Sequence, residues 1–78
     1  MRAEIDGNTI YLWHGGSLLG VAVGSLKRGW RARPAGGRLG RKIFTYAPEA
    51  LADRLDIPRH EIASAIIKER ANAIVADQ

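Results

Sequence analysis

The chain has no cysteine, and between residues 7 and 48 it has no aspartate or glutamate. Without cysteine, neither a disulfide nor a thiolate metal site can reinforce the core. Long hydrophobic runs are also missing, because the longest nearly apolar segment, Leu18–Leu26, is far shorter than the ~20 residues of a membrane helix. The first six residues include two acids and no apolar stretch, so they do not match a signal peptide. We expect a single cytoplasmic domain, 1–78, with no membrane partner.

The positive charge is concentrated in the acid-free block. The chain carries 12 Lys and Arg against 8 Asp and Glu, which gives a net charge of +4. More than half of these cations, and all nine glycines, fall between Gly7 and Pro48. A field of one sign attracts a polyanion or an acidic protein surface; the alternative is a solvated face that keeps the protein in solution, which rarely needs so long a stretch without an acid. The candidate contact residues are Lys27, Arg28, Arg31, Arg33, Arg38, Arg41 and Lys42.

The first part of the chain, 1–47, is glycine-rich and has the pattern of β-structure. β-Branched and aromatic residues between turn signals predict strands at 9–13, 19–23, 30–33 and 42–46. The last two strands predict an antiparallel hairpin whose glycine-rich tip carries Arg38 and Arg41. In the second strand, Leu19, Val21 and Val23 are expected on one face. The opposite face would then be nearly smooth, so that another segment could approach it closely.

The second part of the chain, 48–76, has the pattern of two helices. Pro48 suits the first turn of a helix, and Leu51 and Leu55 are spaced by one helical turn. Asp56 is the expected N-cap of a second helix, which runs from about residue 58 to 76. Strands followed by helices predict an α+β fold, in which a small antiparallel sheet of three to four strands has two helices packed on one face.

Enzymatic signals are weak in this sequence. The two histidines, His14 and His60, do not form a metal-binding or catalytic spacing with other residues. Neither a nucleophile elbow nor a phosphate-binding loop is present. The sequence therefore predicts no catalytic residue, no metal site and no cofactor.

The basic hairpin is the strongest functional signal. Long cations and uncrowded glycine backbone suit contact with phosphates, and a two-stranded ribbon fits the major groove of DNA, where arginine commonly reads guanine. These properties favour nucleic acid as the partner, with DNA ahead of RNA. Trp30 could stack on a base, but Ala32 beside it favours a place in the core.

Residues 19–55 resemble the AP2-like and integrase arm-type DNA-binding domains. The matching residues are Gly29-Trp30-Arg31-Ala32, the stretch 37–42, Phe44, Thr45 and Glu49-Ala50-Leu51. Those domains carry three antiparallel strands followed by a helix, and they dock the sheet into the major groove. The resemblance implies DNA contacts at Arg31, Arg33, Arg41 and Lys42, with Trp30, Phe44, Leu51 and Leu55 in the core. It is also compatible with a small phage or mobile-element accessory protein.

Residues 51–62 locally resemble the core of a helix-turn-helix. Ala52, Leu55, Ile57 and Ile62 fall at the usual packing positions of that motif, and Asp56 occupies the position in the turn where glycine is preferred. The resemblance implies that Arg59 and His60 begin a recognition helix. A plain helical hairpin packed on the sheet explains the same apolar spacing.

Two further hypotheses involve protein partners. A small phage-type inhibitor or adaptor would use the basic face to cover an acidic or nucleic-acid-binding surface of a larger protein. A homodimer would use an apolar stripe of the second helix as its seam, with Arg70 inside the stripe either snorkelling or meeting an acid. The seam residues are Ile62, Ile66, Arg70 and Ile74.

Overall fold

The fold is an antiparallel sheet followed by two helices, as a computed structural model of the chain shows; it describes residues 1–76, with side chains through residue 72. The elements are β1 (Arg2–Asp6), β2 (Thr9–His14), β3 (Ser17–Ser25), β4 (Gly29–Pro34), α1 (Ala47–Leu55) and α2 (Arg59–Ala76). The strands form one sheet in the order β1-β2-β3-β4. The predicted α+β fold is therefore confirmed.

The first strand, β1, was not expected from the sequence. Its pairing places Ala3 opposite Leu12 and Ile5 opposite Ile10, so the small apolar residues of β1 face the core while its charged residues face solvent. Charged side chains on a short edge strand discourage pairing with another chain. Gly7 and Asn8 join β1 to β2 as a two-residue loop, which is a typical hairpin connection.

The core lies between one face of the sheet and both helices. α1 packs against β3 and β4, whereas α2 packs against β1 and α1. Fully buried side chains such as Ile10, Leu12, Leu51 and Ile62 each stabilise the fold by about 1.5–3 kcal/mol relative to exposure. Trp30 is buried in the same cluster, so the core role expected for it is confirmed.

The smooth face of β3 lies against α1. A Cβ atom added to Gly20 would lie 2.9 Å from Leu55 Cδ1. The end of α1 can therefore approach β3 this closely because residue 20 has no side chain. The prediction that Leu19 shares a face with Val21 is wrong. An irregularity in the pairing of β2 with β3 places Leu18 opposite Trp13, and Leu19 packs against the core instead.

β4 pairs along one edge with β3, and the hairpin predicted between 30–33 and 42–46 forms only in part along its other edge. Residues 42–46 form no strand, and Phe44 contacts β4 through a single bridge to Trp30. The N–H of Gly40 donates to the carbonyl of Ala32 at 2.9 Å. Three residues, 41–43, therefore oppose a single residue of β4, and a continuous ladder cannot form across such a bulge.

The junction between the helices corrects another prediction. Asp56 is not an N-cap of α2; it is the C-cap of α1, with left-handed backbone angles of φ 56° and ψ 38°. Its N–H donates to the carbonyl of Ala52 at 3.2 Å. This left-handed conformation commonly ends a helix, and it places a sharp bend before Arg59 begins α2.

Two of the four residues of the predicted dimer seam are buried in the core of a single chain. Ile62 and Ile66 are 0% and 5% exposed in the core, so they are not free to meet a second copy. Arg70 is exposed, and the side chain of Ile74 lies outside the described residues. Across residues 1–76, neither helix combines the length and the apolar character that crossing a bilayer requires.

Candidate nucleic-acid interface

The sheet face that points away from the helices has a gradient of charge. Register places Arg33 opposite Val21 and Arg31 opposite Val23, while Glu4 and Asp6 occupy the corresponding rows of β1. Glu4 and Asp6 therefore lie with Arg2 at one edge of this face, and Arg31 and Arg33 lie at the other edge. Three strand spacings of about 4.8 Å separate the two edges by roughly 14 Å.

The hairpin that carries the basic residues is formed by β3 and β4. Lys27 and Arg28 are exposed in the turn that joins these strands, and the N–H of Arg28 donates to Ser25 Oγ at 3.1 Å. Arg31 and Arg33 follow on β4 itself. The structure thus joins four of the predicted cations in one hairpin, with a different partner strand from the one expected.

The loop after β4 brings three more predicted cations alongside the strand. Arg38, Arg41 and Lys42 are exposed in this loop. Arg31 Nε donates to the carbonyl of Gly40 at 2.7 Å, which holds the loop against β4. Arg31 consequently uses one of its five N–H donors within the protein, and its role is partly structural.

One basic residue near this loop was missed in the sequence. Arg54 of α1 donates through Nη2 to the carbonyl of Arg38 at 3.4 Å. The sequence did offer a signal for the position of Arg54, because it lies in the last turn of α1. A cation there complements the helix dipole. Asp53, its neighbour, lines a small cavity of about 70 Å³ together with Arg41 and Lys42.

We call these cations the basic edge, because they lie on β4, on the turn before it, on the loop after it and at the adjoining end of α1. The turn before β4 and the length of β4 extend over about 20 Å at ~3.3 Å per residue. In the described residues, the one salt bridge joins Arg59 to Glu49 at 3.7 Å, so no cation of the basic edge is paired with a carboxylate. The members of the basic edge are Lys27, Arg28, Arg31, Arg33, Arg38, Arg41, Lys42 and Arg54.

Arg59 and His60, which the helix-turn-helix resemblance places at the start of a recognition helix, are not part of the basic edge. Arg59 pairs with Glu49 of α1, and His60 is exposed in the first turn of α2. Within residues 1–76, no group of three or more histidine, aspartate and glutamate side chains lies together as metal ligands would.

Comparison of the chain with protein-family models, with curated proteins and with solved structures gives no match.

Proposed function

We propose that this protein binds DNA through the basic edge, chiefly by contacts with the phosphate backbone. One observation carries the proposal: eight cations cluster on β4, on the turn and loop that flank it and at the adjoining end of α1, and none of them is paired with a carboxylate in the described residues. Such clustering raises the free energy of the isolated protein through repulsion between like charges. Binding of a polyanion removes that repulsion.

The dimensions of the basic edge suit a nucleic acid. A duplex offers one phosphate per ~1.7 Å of its axis, so about 12 phosphates lie along 20 Å. The major groove of DNA is about 12 Å wide and admits a β-ribbon, whereas the corresponding groove of double-stranded RNA is too narrow to be read by side chains. DNA is accordingly the proposed partner, with the β3–β4 hairpin as the element that approaches it.

Arg33 is the residue that best tests this proposal. It projects from β4 on the sheet face opposite the helices, and no hydrogen bond of its side chain is found among the described contacts. Arg31 is a poorer test, since it also holds the loop through Gly40. Replacing Arg33 should therefore alter binding without releasing the loop.

The experiment is a fluorescence-anisotropy titration of a labelled duplex of about 20 base pairs at several salt concentrations. Eight phosphate contacts, one for each cation of the basic edge, predict a log–log slope of about −7, and thus roughly a ten-thousand-fold loss of affinity from 50 to 200 mM salt. Arg33→Glu should weaken binding about tenfold or more and make the slope less steep by about one unit. Lys68→Glu is the matched control, because it makes the same charge change at an exposed position of α2.

Three results would count against DNA binding. Absence of binding at 50 mM salt would refute the proposal directly. Equal effects of Arg33→Glu and Lys68→Glu would show that net charge, rather than the basic edge, controls affinity. Tighter binding to polyglutamate than to the duplex at equal salt would favour the inhibitor or adaptor hypothesis, in which the basic edge covers an acidic protein surface.

A further inference from the structure

An apolar groove lies away from the sheet face on which Arg31 and Arg33 are found. It runs between the β3–β4 turn, the start of α1 and one side of α2, and its volume is about 650 Å³. Buried residues Trp30, Ala47 and Ile66 contribute to its floor. Its lining includes Leu26, Trp30, Tyr46, Ile66, Ile67 and Arg70.

The rim of the apolar groove exposes large hydrophobic side chains. Leu26 is 81% exposed, Ile67 is 67% exposed and Tyr46 is 54% exposed. Only two other large hydrophobic residues are comparably exposed in the described part of the chain, namely Met1 and Ile43. Single exposed apolar residues are ordinary, but several around one concavity are typical of an interaction site.

The charges around the apolar groove are mainly positive. Arg59 and Arg70 line it, and Lys27 follows Leu26 in the adjoining turn. Glu49 is the acid that lines the groove, and it is already paired with Arg59 at 3.7 Å. The N-terminal end of α1 also lines the groove, and no side chain caps it. This end of a helix carries a positive partial charge. An occupant with apolar anchors and negative flanks complements this surface.

We propose that the apolar groove binds an acidic amphipathic helix of another protein. Such a helix places apolar anchors at i, i+3, i+4 and i+7 into a groove of this kind, and its acids face Arg70 and Lys27. A second copy of this chain fits poorly, because a twofold interface apposes the same patch on both subunits. Two positive rims would then meet, which is unfavourable.

The probe is a fluorescein-labelled peptide of about 16 residues, with leucine at the four anchor positions and glutamate on the flanks. A control peptide of identical composition has its leucines dispersed around the helix. We expect the first peptide to bind the full chain, and the dispersed peptide to bind at least about tenfold more weakly, since anchors outside the groove lose their contacts. Amide chemical shifts of ¹⁵N-labelled protein should change around Leu26 and Ile67.

Variants locate the binding site. Ile67→Glu and Arg70→Glu should each weaken the peptide about tenfold, and both positions are exposed, so the fold is expected to tolerate them. Ile43→Glu is the matched control for the first variant, because Ile43 is 62% exposed but does not line the groove. Arg33→Glu, which tests DNA binding, should leave peptide affinity within about twofold, so the two proposals can fail separately.

Several outcomes would overturn the inference. Equal binding of the two peptides, or loss of binding in Arg33→Glu but not in Ile67→Glu, would show non-specific attraction to the basic edge. Displacement of the peptide from the groove by duplex DNA would assign the groove to nucleic acid. Sedimentation of the free protein as a dimer that Ile67→Glu dissociates would make a second copy the occupant.

Discussion

Gly20→Ala should destabilise the protein although the change adds only one methyl group. The new Cβ would lie 2.8 Å from the carbonyl oxygen of Arg33 and 2.9 Å from both terminal carbons of Leu55. Overpacking of this kind costs about 1–3 kcal/mol, and the smaller entropy loss of alanine offsets about 0.5–1 kcal/mol of it. A net loss of about 0.5–2 kcal/mol lowers the melting temperature by roughly 2–16 °C in a domain of this size.

Thermal unfolding followed by circular dichroism measures this effect, with Gly16→Ala as the control. Gly16 has no neighbour within 4 Å of an added Cβ and no positive φ, so alanine there should stabilise the protein by about 0.4–1 kcal/mol. Leu55→Ala removes one of the two contacts with the new Cβ. The double variant with Gly20→Ala should therefore lose less than the sum of the single losses, by about 1 kcal/mol. A melting temperature of Gly20→Ala at or above that of the parent would refute the packing of Leu55 on β3.

Three further substitutions test other parts of the fold. Leu51→Ala removes a fully buried side chain and should cost about 2–5 kcal/mol in urea unfolding; a loss below about 1 kcal/mol would contradict its central position. Asp56→Gly should stabilise the protein by about 0.5–1 kcal/mol, because glycine adopts the left-handed conformation of this residue without strain; destabilisation would argue against that conformation. Arg31→Lys keeps the charge but loses the Nε bond to Gly40, so amide exchange of the loop should accelerate, and unchanged exchange would show that the bond does not hold the loop.

Much of the fold could be predicted because its signals are local. Turn residues and β-branched runs predicted β2, β3 and β4, and Pro48 with the spacing of Leu51 and Leu55 predicted α1. β1 was missed because only Ala3 and Ile5 are apolar in it. Its pairing with β2 depends on tertiary contacts, which the local sequence does not reveal. The strand expected at 42–46 failed for the converse reason. Its residues have high β-propensity, but the ladder position beside β4 is interrupted by a bulge.

The composition of the candidate site could be predicted better than its geometry. All seven cations expected from the acid-free block belong to the basic edge, because charge segregation is visible in the sequence. Arg54 was missed because its proximity to Arg38 depends on how α1 packs against the sheet. The apolar groove was not predictable either. Leu26 and Ile67 come from a turn and a helix that the sequence does not indicate to be neighbours.

The arginines of β4 are not needed to protect the edge of the sheet. An exposed edge strand invites pairing with another chain, and charged side chains often prevent it. Here the backbone already does so, since Trp30 exchanges both of its hydrogen bonds with Phe44 and the carbonyl of Ala32 accepts from Gly40. Pro34, at the end of the strand, has no N–H to offer. Protection of the edge therefore does not account for the cations. Charged residues of either sign would keep the protein in solution equally well. This cluster is of one sign, and its members repel one another. A surface that binds a polyanion requires that property.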